Sequence, residues 1–314
     1  MEKANSSISS FKRFLIAYLL PVTAIVAIVM VACSWFFERS IIFKSTSSGA
    51  YKINRMFTEQ HNNEIALIGS SRAVGSYVPA ILGDSVFNYG IEDTQYDLLI
   101  IFLKNELEKN KTTPLVVNFD YEIFDKWFGD IANYIPNVHH ADIKNYVGDR
   151  YKWYFSVAGI KYFGQYEHYM KMYMADHSGR NYKSNGGFFL TDPFNPEVLA
   201  REVKTRLVTT THWTSDEQKS QTLIQLIASH PQRQIVFCIA PYHPAYLKMF
   251  KGYDQLNQCV NALKANSNVV FLDYSHEAYA DSLYSNTSHL NYNGAVKFSG
   301  ELKSRLHALL PTYF

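Results

Sequence analysis

Gly69-Ser70-Ser71 ends a short apolar run, Glu64 to Ile68, and opens a helix-compatible stretch from Ser71 to Leu82. A serine at such a junction sits at the carboxyl edge of a parallel sheet. There the first turn of the helix aims backbone N–H groups and a positive dipole end at any developing anion. Ser71 can therefore attack a carbonyl while its own amide steadies the oxyanion, although either serine could equally do no more than cap the helix. At the far end of the chain, Ser288-His289-Leu290-Asn291 precedes the final helix. A histidine in a loop after the last strand can reach the same sheet edge and take a serine proton. The chain has 11 histidines, so position and neighbours single out His289 rather than its type.

Other polar clusters are weaker. His139-His140 with Asp142, Glu167-His168 and Asp176-His177 carry metal-ligand residue types, but adjacent histidines point apart on regular backbone, and these read as surface loops. No metal and no cofactor is expected. Trp127, Trp153 and Tyr154 could stack on sugar rings or pack the segment they belong to. Asp120 could order a pocket at the sheet edge or cap a turn.

These residues need a sheet to converge. Apolar runs at Glu64 to Ile68, Asp84 to Phe87, Leu115 to Phe119, Gln234 to Ala240 and Val269 to Asp273 read as strands. Stretches at Ser71 to Leu82, Ile91 to Lys109, Ser215 to Ser229, Ala245 to Lys264 and Tyr292 to Leu310 read as helices. Strand and helix in alternation predict an α/β fold, a parallel sheet with helices on its faces. The alternation breaks from about residue 120 to 192, an aromatic-rich insertion that suggests a lid or cap.

Residues Phe14 to Phe37 carry no charge, and at about 1.5 Å per residue they reach roughly 36 Å, enough to cross a bilayer. Lys12 and Arg13 flank one end, and Trp35, Phe36 and Phe37 give the other an interfacial aromatic belt. Met30-Val31-Ala32-Cys33 matches a lipoprotein cleavage site only loosely. The division expected is a cytoplasmic tail over 1–13, a transmembrane helix over 14–37, a stalk or packing helix over 38–63, and an extracytoplasmic domain over 64–314. Lys3, Lys12 and Arg13 favour that orientation, while Arg39, Lys44, Lys52 and Arg55 blunt the asymmetry. With 30 Lys+Arg against 28 Asp+Glu and no basic block, nucleic acid is not an expected partner. Cys33 lies in the apolar run, and Cys238 and Cys259 read as buried thiols, with a bridge between them as the alternative.

From Glu64 onward the chain resembles the SGNH, or GDSL-type, hydrolase superfamily. Its segments IGSSRA, SHLN and APYHPAYL are most similar to the membrane-tethered branch containing the teichoic-acid D-alanylation protein and the polysaccharide O-acetylation proteins. The resemblance implies a three-layer flavodoxin-like sheet with a lid-like insertion, Ser71 as nucleophile and His289 as base. It assigns oxyanion-hole roles to the Ser71 amide, Gly90 of Asn88-Tyr89-Gly90 and Asn118, and puts Asn88, Asp120 and His243 around the substrate. It also implies a bacterial cytoplasmic-membrane protein whose domain faces the periplasm or exterior. Such a protein is an esterase or O-acyltransferase acting on an envelope polysaccharide or glycoconjugate, beside a multispanning membrane acyltransferase. Where the family has an aspartate three residues before the histidine, this chain has Asn286. Asn286 could orient His289 through its carbonyl, Asp273 or Asp281 could substitute, or the domain could be a silent scaffold or glycan-binding subunit.

Overall fold

A computed structural model describes residues 11–94, 96–124, 128–178, 184–191, 194–208 and 216–314. The tail over 1–10, Trp127, and the start expected for the helix at Ser215 lie outside the described residues. The five apolar runs form β1 (Ile65–Ile68), β2 (Val86–Asn88), β3 (Leu115–Asn118), β4 (Ile235–Ile239) and β5 (Val269–Asp273). All pairings are parallel, in the order β2-β1-β3-β4-β5. This is the flavodoxin-like order, whose switch point lies between β1 and β3.

Strands β1 to β4 read as unbroken apolar runs because both faces are buried, while the edge strand β5 is only partly covered. Ala66, Ile68, Leu115, Val117, Ile235, Phe237 and Ile239 face one cluster, and Ile65, Leu67, Val116, Val236 and Cys238 face the other. Successive side chains on a strand point to opposite faces, so both layers fill from the same short runs. At the amino end of the sheet, Glu106 holds Lys111 at 2.6 Å and Arg233 at 3.0 Å in a buried charged cluster.

The helices are α1 (Leu20–Ser40), α2 (Gly49–Thr58), α3 (Ser71–Ser76), α4 (Pro79–Leu82), α5 (Tyr96–Leu107) and α6 (Ala141–Val147), then α7 (Tyr166–Asp176) and α8 (Pro196–Val208). They continue with α9 (Glu217–Ala228), α10 (Pro244–Met249), α11 (Tyr253–Lys264) and α12 (Tyr292–Leu309). Two expected helices are each divided. Pro79 starts α4, since its missing N–H is harmless only in a first turn, and Gly252, with φ 105°, precedes α11. The apolar helical segment spans Phe11–Lys44, broken at Ile41, and is long enough to cross a membrane. Its Leu15–Leu19 turn is π-helical, just before Pro21, whose absent N–H frees a carbonyl one turn back.

Residues 38–63 take the packing-helix form rather than that of a stalk. Ile42, Ile53 and Met56 belong to the larger core, and Lys52 is fully buried. The packed unit therefore begins before residue 64, because the amphipathic α2 buries one face against the domain. In the insertion, Tyr134, Tyr162 and Tyr169 join the same core. Its contacts include the apolar helix through Ser34 and Phe37, the segment before α2 through Asp176, which accepts from Thr46 and Ser47, and α3 and the start of α12 through Phe188 N–H to the Val74 carbonyl and Tyr292 N–H to the Leu190 carbonyl. Its last part returns along β2, where the Asn185 carbonyl accepts from Asn88 N–H and covers the sheet edge.

Candidate active site

β1 ends at Ile68, and Gly69 lets the chain turn close against β3. A Cβ on Gly69 would sit 2.8 Å from the Cβ atoms of both Ala73 and Asn118. The two serines that follow then divide the work between them. Ser70 is the N-cap of α3: its Oγ accepts from Arg72 N–H at 3.2 Å and donates to Asp120. Ser71 is the first helical residue, and its Oγ lies 2.9 Å from His289 Nε2. Ser71 and His289 are both half-buried, so the pair can be reached from solvent.

The direction of that hydrogen bond follows from Asn286. Its Oδ1 lies 3.0 Å from Ser288 N, 2.8 Å from His289 N and 3.0 Å from His289 Nδ1. Backbone N–H groups can only donate, so the atom facing them is the amide oxygen. An oxygen at 3.0 Å from Nδ1 requires a proton on Nδ1, which leaves the Nε2 lone pair toward Ser71. Ser288 Oγ, 3.1 Å from Nδ1, is placed as a second acceptor. Of the three possibilities for position 286, the geometry is that of carbonyl orientation. The two carboxylates considered as substitutes are engaged elsewhere: Asp273 accepts from Ser275 N and Oγ, and Asp281 pairs with His243 Nε2 at 3.2 Å.

The loop carrying His289 is held on several sides. Asn291 caps α12, its Oδ1 accepting from Gly294 N–H, and its Nδ2 donates to the Ser282 carbonyl at 2.7 Å. Thr287 donates through both N–H and Oγ to Glu202 Oε2, at 3.0 Å each. The Thr287 carbonyl accepts from His243 N–H. His243 is itself buried, with Nδ1 accepting from Ala245 N–H, so it braces the loop from the end of β4.

Around Ser71 the other expected residues behave differently from one another. Gly90 N–H donates to Asn88 Oδ1 at 2.9 Å, closing a turn of Asx type, and so is already spent. The expectation that this amide serves an oxyanion is corrected: the smallness of Gly90 answers to packing, since a Cβ there would lie 2.8 Å from Ala73 Cβ and 2.9 Å from Val74 N. Asn88 is likewise no substrate contact; it is completely buried, and its Nδ2 donates to the Ala73 carbonyl at 2.7 Å. Asn118 receives Tyr77 OH on Oδ1 at 2.9 Å and donates one Nδ2 hydrogen to Asp120 Oδ1 at 2.8 Å. Asp120 gathers Ser70, Asn118 and, at 3.6 Å, Arg72 Nε. Burial pushes its carboxyl pKa up, opposed by the Arg72 charge and the two donors. Arg72 stacks on Tyr242 and donates to the Ala240 and Pro241 carbonyls, tying α3 to the end of β4.

Lys52, Glu202 and Asn291 were given no site role from the sequence. Lys52 donates to the Gly90 carbonyl from beneath the Asn88–Gly90 turn, and burial pulls its pKa down to about 7 despite Glu92 and Asp176. Asn291 had a signal, an Asn three residues before Gly294 at a helix start. Lys52 and Glu202 had none, because both act across long sequence separations. Among the described residues no group of three or more metal-ligating side chains occurs. His139 is exposed, His168 pairs with Asp130 at 3.1 Å, and His177 stacks on Tyr173. Cys238 and Cys259 are buried free thiols.

No family model matches the chain, and no curated protein matches it. Among solved structures it is similar to one described as "The structure of a putative platelet activating factor from Streptococcus pneumonia", with TM-score 0.43 and 13% identity. That similarity covers 88% of this chain and 98% of the other. The fold class stands on this chain's own strand order.

Proposed function

We propose that the chain is a membrane-tethered serine esterase or O-acyltransferase. The observation that carries this is the Ser71 Oγ to His289 Nε2 contact of 2.9 Å, with the imidazole held as the Nδ1–H tautomer. His289 Nε2 takes the hydroxyl proton as Ser71 Oγ bonds to an ester carbonyl carbon. The tetrahedral oxyanion is met by the Ser71 N–H, free of any intrahelical partner in the first turn, and by the second Nδ2 hydrogen of Asn118. Collapse breaks the ester C–O bond, and His289 returns the proton to the departing alkoxide. A second hydroxyl, from water or a polymer, then attacks the acyl-serine with the same proton relay in reverse order.

The family resemblance, together with an N-terminal helix long enough to span a bilayer, supports an envelope polysaccharide or glycoconjugate as the acyl acceptor or donor. It likewise supports a multispanning acyltransferase as partner and a domain facing the periplasm or exterior. A catalytically silent scaffold is the second reading, favoured by the engaged Gly90 amide and by a neutral Asn286 behind the histidine. Hydrolysis of an activated aryl acetate by the purified full chain in detergent separates the two. The enzyme reading expects turnover abolished in Ser71→Ala and in His289→Ala. Equal rates in wild type and both variants would leave the scaffold.

A further inference from the structure

Outside the apolar helix, the large hydrophobic side chains exposed among the described residues are concentrated in one stretch of the chain, residues 153–174. Trp153 is 71% exposed, Phe163 80% and Met174 65%, with Val157, Tyr166 and Met170 beside them; elsewhere only Leu309 and Tyr313 qualify. On α7, Tyr166, Met170 and Met174 recur every four residues and form one outward stripe, while Tyr169 and Asp176 face the core. A soluble face gains nothing from such a patch, and clustering of this kind marks an interaction surface.

The patch is continuous with the apolar helix. Gly159 N–H donates to Ser34 Oγ at 2.6 Å, and Lys161 Nζ pairs with Glu38 at 2.5 Å. Phe37 packs against Tyr162, Tyr166 and Tyr169, with ring centroids 5.2 to 6.1 Å apart. Gly159 has φ +88°, and a Cβ there would strike Met30 Cε at 2.5 Å, so only glycine lets the loop approach the helix this closely. Between loop and helix lies a cleft of about 510 Å³ lined by Val29, Met30, Cys33, Phe37, Tyr162 and Tyr166.

These contacts fix how far the helix can sink. From Phe14 to Cys33 the helix supplies roughly 30 Å, the thickness of the hydrocarbon core. Deeper insertion would drag the Glu38–Lys161 pair and Arg39 into hydrocarbon, where charged side chains are costly. We propose that residues 153–174 form a foot resting in the interfacial layer of the same bilayer that the helix crosses, with Trp153, Phe163 and the α7 stripe among the lipid headgroups and upper acyl chains. This rests on the reading of the N-terminal helix as a membrane span. The foot adds a second point of attachment and holds the domain, with Ser71, at a fixed tilt and height.

The test is spin-label accessibility in the full chain, reconstituted into vesicles of phosphatidylethanolamine and phosphatidylglycerol. In a Cys33→Ser background, labels are placed singly at Val26→Cys in the helix, Phe163→Cys in the foot and Lys303→Cys on the exposed face of α12. Collision with oxygen reports lipid, and collision with a nickel chelate reports water. The foot predicts label 163 to be oxygen-rich and nickel-poor, shallower than label 26, with label 303 fully aqueous. Label 26 in lipid with label 163 as aqueous as 303 overturns the foot and leaves the span. So does label 163 shielded from both reagents, which would mean a protein partner covers it. Label 26 in water overturns the span itself, and the foot with it.

Discussion

Asn286 Oδ1 lies 3.0 Å from His289 Nδ1 while also accepting from the Ser288 and His289 backbone N–H groups, so a neutral amide sets the tautomer that an aspartate ordinarily sets. In a serine protease the Asp-to-Asn exchange costs about 10⁴ in turnover because the wrong tautomer is held. Here the backbone donors turn the amide oxygen toward the ring, and that penalty is avoided. What is lost is only the negative charge beside the imidazolium.

Asn286→Asp is therefore expected to raise turnover of an activated ester, by about tenfold for each 1.4 kcal/mol of added imidazolium stabilisation. Asn286→Ala, which frees the ring to rotate, is expected to lower it by about 10² or more, within the range ascribed to a positioned general base. Steady-state kcat/KM for the two variants checks both directions.

Ser70→Ala is expected to retain Ser71-dependent activity. It loses an N-cap, about 1 kcal/mol, and leaves Asp120 with one donor fewer. A lower midpoint of thermal unfolding with modest loss of turnover is the predicted pattern. Complete loss in Ser70→Ala with activity kept in Ser71→Ala would exchange the two serines' roles.

Gly90→Ala keeps the backbone N–H yet forces a methyl against Ala73 and Val74, so it is expected to destabilise by about 1–3 kcal/mol. Differential scanning calorimetry in detergent would read this as a lowered midpoint. An inactive variant of wild-type stability would instead mean that the added methyl intrudes on the site rather than on the packing.

Lys52 gives the protein a pH signature. Its folded pKa lies near 7, whereas an unfolded lysine holds its proton to about pH 10. Between those values the unfolded chain binds more protons, so this group makes stability rise with pH from about 7 to 10, and stay flat below. Unfolding midpoints measured across that window should climb in wild type, and the climb should shrink in Lys52→Met. An identical slope in both would mean that the buried ammonium titrates normally.

The sheet was legible because strands buried on both faces leave continuous apolar runs such as IALI and IVFCI, and Ser71 and His289 because each sits at a strand or helix junction. The roles of Asn88 and Gly90 were not. The motif is the same whether the Gly90 amide points into a site or is consumed by Asn88, and only the turn geometry decides. Residues 38–63 stayed open between stalk and packing helix, since a polar segment gives no hint that Ile53, Met56 and even Lys52 are buried against a sheet formed later in the chain. Glu202 and Thr287 are 85 residues apart and share no local pattern.

Mapping the covalent adduct of a fluorophosphonate on the full-length chain by mass spectrometry tests most directly whether Ser71 is an activated nucleophile. The expected result is one modified residue, Ser71, absent in Ser71→Ala and formed far more slowly in His289→Ala. An adduct on another serine, or none on the folded wild-type chain, would contradict it.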